Sequence, residues 1–128
     1  MSTLPSAAPL ARPEFRFRMR ITVGDAIAIG PGKVQLLEAI LETGSLTAAA
    51  KRIDMSYRRA WVLINELNTA LKTPAVESGK GGGNGGGSML TPVGLQVIEH
   101  YRAIEARAAA ACAAEIRSLT ALFGPDKG

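Results

Sequence analysis

Cysteine and histidine occur once each in this 128-residue chain, as Cys112 and His100. One cysteine excludes an intrachain disulfide and a cysteine-rich metal centre, and one histidine beside it leaves no His/Cys zinc set within a chain. Aromatic residues make up only 5% of the sequence. Alanine, leucine and isoleucine must therefore fill any core, which favours helix packing over a β-sandwich. No apolar run approaches the roughly 20 residues that cross a bilayer. Residues 1–13 lack the apolar segment of a signal peptide, and their Ser/Ala/Pro mixture reads as a flexible tail. A nucleophile–base pair, a carboxylate pair and metal-ligand spacing are missing as well. No enzyme activity, catalytic residue, cofactor or metal is expected, and the compartment expected is the cytoplasm.

What is present suits a single small domain, expected over residues 14–124 with a tail at 125–128. Apolar residues are 47% of the chain, and 15 lysines and arginines outnumber 11 acidic residues for a formal charge of +4. That excess is compatible with nucleic acid without demanding it.

From Phe15 to Val23 the sequence alternates, with Phe15, Phe17, Met19, Ile21 and Val23 on one side and Arg16, Arg18, Arg20 and Thr22 on the other. This is the period of a half-buried strand, and the three arginines read as its solvated face. Gly24-Asp25 breaks the pattern, and residues 26–30 read as a short apolar linker. Pro31-Gly32 opens a first helix running to about Thr43, with Val34, Leu37, Ile40 and Leu41 at helical spacing. Gly44 falls where a left-handed C-cap belongs. Ser45 is placed to cap a short second helix, Leu46 to about Ile53, whose inner face is Leu46, Ala49, Ala50 and Ile53. Asp54-Met55 is the turn and Ser56 the next cap.

The third helix, Tyr57 to about Lys72, carries Ala60, Ile64, Leu67 and Leu71 on one narrow stripe. At about 100° per residue, Arg58, Val62, Asn65 and Thr69 lie opposite that stripe. Arg59 and Glu66 share one flank, where they could simply pair, and Tyr57, Trp61 and Asn68 share the other. Two short strands follow, Ala75–Ser78 and Ser88–Thr91, around a glycine-rich segment from Gly79 to Gly87. Thr91-Pro92 then signals a last, long helix to about Phe123. Its stripe is Tyr101, Ile104, Ala108, Cys112, Ile116, Leu119 and Phe123.

Two short helices across a tight turn, followed by a hairpin, form the order of a winged helix-turn-helix. The fold expected is mainly α with a small β-sheet, an N-terminal strand and a long C-terminal dimerisation helix over about 92–123. A helix reads base edges in the major groove only if a neighbour braces it against the phosphates. In the third helix Arg58 suits guanine, Asn65 suits adenine and Val62 can touch a thymine methyl. Ser56 and the first free N–H groups suit a phosphate, with Arg59 beside them. Ser45 and Thr47, at the start of the bracing helix, and Tyr57 complete the helical set of candidate DNA contacts. Tyr57 and Trp61 are expected to pack against neighbouring elements rather than to stack on bases.

The glycine-rich segment is not a P-loop, because no Gly-Lys-Ser/Thr ends it. It is not a dinucleotide fingerprint either, because Leu90, Thr91 and Pro92 stand before the helix. Between two short strands it reads as the tip of a wing, with Lys80 as the charge that reaches DNA.

Taken in order, these blocks are specific. Gly44–Lys51, then Ser56–Trp61 with Asn65–Asn68, then the glycine wing and Leu90–Gly94 resemble the N-terminal DNA-binding domain of ModE-type molybdate-responsive regulators. The likeness runs from about Phe15 to about Ala114. The helix-turn-helix alone also resembles LysR-type regulators, which lack the Ser-Tyr-x-x-Ala-Trp block and the glycine wing. The resemblance implies a winged-helix dimer, held by the N-terminal strand and the first and last helices. The molybdate-binding domains of such regulators do not follow the last helix in this sequence, so molybdate is not an expected ligand. The function expected is sequence-specific binding of double-stranded DNA, as a homodimer on a near-palindromic operator. The alternative is a dimeric winged helix that has lost specific DNA binding and docks a protein. Cys112 is expected to be buried packing on the last helix.

Overall fold

In the computed structural model, residues 12–78 and 87–124 are described. They form two compact units. Arg18–Ile104 is the larger, and the described parts of Met1–Phe17 and Glu105–Gly128 make up the other. Helices dominate, with two small antiparallel hairpins: mainly α with a little β, as expected.

The larger unit begins with β1 (Ile21–Val23) and β2 (Ala26–Ile29), paired antiparallel across the Gly24-Asp25 turn with an irregularity between Ile21 and Thr22. This corrects two expectations. The alternating run from Phe15 is a strand only over its last three residues, and the segment read as a linker is its partner. The pairing is short because β2 ends where Gly30-Pro31 starts a helix, and a strand without a partner has nothing to bond.

That helix, α1, spans Pro31–Thr43 as expected, with Pro31 in the first turn, where its missing N–H costs nothing. Gly44 closes it in the left-handed region, φ 79°, its N–H donating to the Ile40 carbonyl at 2.8 Å. Val34, Leu36, Leu37 and Ile40 are fully enclosed. Each contributes about 1.5–3 kcal/mol of burial. Leu41, assigned to the same inner stripe, is 54% exposed. α2 (Leu46–Arg52) turns its Ala49 and Ala50 onto α1. Small side chains there let the two helices approach closely.

α3 (Tyr57–Ala70) buries Ala60, Ile64 and Leu67, with Leu71 packed at its end, the stripe read from the sequence. β3 (Val76–Ser78) and β4 (Ser88–Leu90) pair in the register Val76↔Leu90, Glu77↔Met89 and Ser78↔Ser88. The wing docks on the helices through the Ser88 N–H, which donates to the Gly44 carbonyl at 3.0 Å. Thr91 ties β4 to the last helices. Its hydroxyl donates to the Pro74 carbonyl at 2.7 Å and accepts from the Gly94 N–H at 3.1 Å.

The expected single long helix is two: α4 (Pro92–Ala111) and α5 (Ala113–Thr120). They part at Cys112, whose backbone sits at φ −105°, ψ 15°. The hydrogen-bond run persists through the break, from the Cys112 N–H to Ala108 and from the Ile116 N–H to Cys112. Cys112 is exposed within the chain, not buried. Tyr101 faces inward and its hydroxyl donates to the Met19 carbonyl at 2.8 Å, pinning the chain ahead of β1 to α4. No helix among the described residues is long and apolar enough to cross a membrane.

Candidate nucleic-acid interface

The helix-turn-helix is built from local hydrogen bonds that the sequence dictates. Ser45 accepts from the Ala48 N–H at 2.9 Å and so starts α2. Ser56 accepts from the Arg59 N–H at 3.1 Å and starts α3. Between them, the Met55 N–H donates to the Ala50 carbonyl at 2.9 Å and the Asp54 N–H to Lys51 at 3.2 Å. That is a Schellman closure. It requires a left-handed residue after the C-cap, and Asp54 takes it with φ 59°. Aspartate is one of the few side chains that tolerate this region.

The closure projects the N-terminal half of α3 into solvent. Arg58, Arg59 and Asn65 are exposed, and Val62 is 39% exposed. Tyr57, Arg58, Trp61 and Val62 line one concave surface of about 350 Å³. Tyr57 and Trp61 do not pack inward as expected. They are 54% and 52% exposed, because Ala60 and Ile64 take the inward positions of the same turns. Trp61 therefore belongs with the exposed face, although the sequence reading left it out of the site. Ser45 is half-buried with its hydroxyl occupied as a cap, and Thr47 is exposed on α2. Lys80 and the wing tip lie outside the described residues.

Arg59 does not pair with Glu66. Lys33 does, at 3.2 Å, with its side chain only 5% exposed. The same ammonium donates to the Ile27 carbonyl, so it joins α1, β2 and α3 at one point. Nothing in the local pattern marked Lys33, because its carboxylate partner lies 33 positions away. Asn68 also has a structural role that its place on the helix wheel did not show. Its Oδ1 accepts from the Ala75 N–H at 2.8 Å and the Val76 N–H at 3.3 Å, while its Nδ2 donates to the Val76 carbonyl at 3.1 Å. It thereby fixes the wing's first strand to the exposed helix. Glu38 and Arg102 join α1 to α4 through paired hydrogen bonds of 2.7 and 2.8 Å. Among the described residues no group of histidine, cysteine or carboxylate side chains could hold a metal ion.

Residues 32–95, half of the chain, match the family model of bacterial regulatory helix-turn-helix proteins, lysR family. The chain belongs to that family. Its relatives include the molybdenum-pterin-binding protein MopB of Rhodobacter capsulatus, 45% identical over 78 residues, which are 61% of this chain and 29% of that protein. The molybdenum transport protein ModE of Azotobacter vinelandii is 37% identical over 91 residues, 71% of this chain and 34% of that protein. The DNA-binding transcriptional dual regulator ModE of Escherichia coli (strain K12) is 39% identical over 71 residues, 56% of this chain and 27% of that protein. The chain thus spans about a third of the length of these relatives. In structure it is similar to the DNA-binding domain of CbnR, solved as a complex with DNA. The TM-score is 0.52 and the identity 25%, over 72% of this chain and 97% of that one. The ModE-type resemblance drawn from the sequence is borne out, and the lysR likeness of its helix-turn-helix with it. The fold is a winged helix-turn-helix of a DNA-binding regulator family.

Proposed function

We propose that this chain is a sequence-specific regulator that binds double-stranded DNA as a homodimer in the cytoplasm, on a near-palindromic operator. The observation that carries the reading is the exposed face of α3, braced from behind by α2. Arg58, Val62 and Asn65 stand in solvent there with no structural duty to occupy them. A helix of this kind fits the major groove, where arginine reads guanine and asparagine reads adenine. Ser56, Tyr57 and Arg59 flank that face at the start of α3, and with them Ser45 and Thr47 at the start of α2, and Lys80 of the glycine-rich segment, are assigned to DNA contacts. No catalytic role is assigned to any of them.

Dimerisation rests on a different surface. Met19, Ile21, Val23, Leu71, Val97 and Ile104 line an open, almost wholly apolar groove of about 400 Å³ in the larger unit. Ile21, Val23 and Ile104 are each more than two-fifths exposed. A second copy laid on the same groove would form an isologous two-fold contact. It would also present two α3 helices to half-sites about one helical turn, or a multiple of one, apart.

The test is a binding titration of wild type and Arg58→Ala against a preferred site and against scrambled DNA. The substitution should weaken the preferred site by about 1–3 kcal/mol and relax preference at one position per half-site. Equal losses on both DNAs would make Arg58 a phosphate contact and remove the basis for base reading by α3.

A further inference from the structure

A second cavity, of about 400 Å³, opens beside α3 on the side away from Trp61. Arg18, Arg20, Lys33 and Arg59 line it, against one carboxylate, Glu66. That carboxylate is already matched by buried Lys33 at 3.2 Å. Arg18, Arg20 and Arg59 take part in none of the ion pairs among the described residues. Three unpaired guanidinium groups thus face one hollow, although the whole chain carries a formal excess of only four charges. Arg20 lies across the start of α1, so closely that a Cβ on Gly30 would meet its Cγ at 3.3 Å and its Nε at 3.8 Å. Gly30 offers no side chain to cap α1, so the first N–H groups of that helix add to the positive potential.

We propose that this cavity seats a phosphate of the DNA backbone, next to the groove that α3 enters. This rests on the reading of α3 given above and extends the contact surface to a part of the chain with no role in base reading. Guanidinium groups pair with phosphate oxygens in forked geometry, and several can share one phosphate. Position selects DNA over other anions. Val62 lines both this cavity and the concave surface of Tyr57, Arg58 and Trp61. The hollow therefore lies one step around α3 from the base-facing side chains. A helix in a major groove about 12 Å wide has a sugar–phosphate strand along each flank. Arg18 and Arg20, ahead of β1, are then a clamp on one of those strands rather than part of a solvated face.

The experiment compares the salt dependence of DNA affinity for the wild-type chain and the Arg18→Gln/Arg20→Gln variant. Arg16→Gln is the single-charge control, matched to Arg59→Gln, since Arg16 pairs with Glu14 and lies outside the cavity. Each lost phosphate contact lowers the slope of log affinity against log salt by about 0.9. The double variant should lose about 1–2 in slope on preferred and scrambled DNA alike, keep its base preference and keep the wild-type melting temperature. Arg16→Gln should leave the slope unchanged. Arg59→Gln, one substitution on the opposite wall, should repeat the effect at about one contact if the double variant fails to fold. An unchanged slope in the cavity variants, or an equal loss in Arg16→Gln, overturns the proposal while base preference in the wild type leaves the reading of α3 standing. Absence of DNA binding by the wild type would sink both. Inorganic phosphate, titrated against the DNA-free chain and followed at the Gly32 and Lys33 amides, separates the sources. Saturation at low millimolar phosphate, with an unchanged slope in the double variant, would assign the cavity to a free oxyanion and contradict the DNA assignment.

Discussion

Asn68 shows how single side chains hold the candidate DNA surface in shape. Its amide satisfies two backbone donors and one acceptor at the start of β3, so Asn68→Ala leaves three partly buried groups without partners. The expected loss is about 1–3 kcal/mol of stability, read by denaturant unfolding, with base preference unchanged. A variant as stable as wild type would show that water replaces the amide at no cost. The Glu38–Arg102 pair gives a pH dependence of known sign. Hydrogen bonds from Arg102 are the main reason that the Glu38 carboxyl is held below its usual range; partial burial opposes them and the guanidinium charge adds to them. Because the folded value is depressed, the pair's stabilisation is present above the ordinary carboxylate range, about pH 4. It is lost as pH falls through the depressed value. Arg102→Met should flatten that part of the acid unfolding curve; a curve identical to wild type would contradict the coupling. Residue roles were legible where the partner is local. Ser45 and Ser56 cap three positions ahead, and that pattern can be read directly. Lys33 finds its carboxylate 33 positions away, so no spacing announced it, and Asn68 bonds backbone seven and eight residues on, beyond the end of its own helix, where no helical or capping period applies.

At the scale of elements, the three helices around the turn were legible because their apolar stripes and caps agree. The two N-terminal strands were not. Alternation from Phe15 to Val23 sets which side chains share a face, but pairing needs a partner, and β2 supplies only four residues before Pro31. The parting of α4 from α5 had no local sign, since the surrounding alanines include neither proline nor glycine. Close approach was hidden as well. A Cβ on Gly94 would sit 2.3 Å from the Ala75 carbonyl oxygen, which is backbone and cannot turn aside. Gly94→Ala should therefore push α4 from the wing and cost about 1–3 kcal/mol, as overpacking does. Its signature would be amide shifts concentrated at residues 74–78 and 88–94. Full stability with an undisturbed wing would show that the contact is not as tight as the geometry states.

For the whole molecule, the apolar groove and the exposed α3 surface make separable claims. Ile104→Glu places a charge in the groove, and in a two-fold contact a like charge on the partner. That variant should sediment as a monomer with unchanged helical content and lose high-affinity operator binding, while keeping weak, salt-sensitive attachment to any DNA. If it sediments as wild type does, the groove is not the seam. The central claim, that two α3 helices read sequence together, meets its most direct test in selection of bound sites from a random pool of DNA by the wild-type chain. The account predicts enrichment of an inverted repeat whose half-sites are centred about 10–10.5 base pairs, or a multiple of that, apart. A pool that stays random after repeated rounds, or converges on a single unrepeated site, would contradict it.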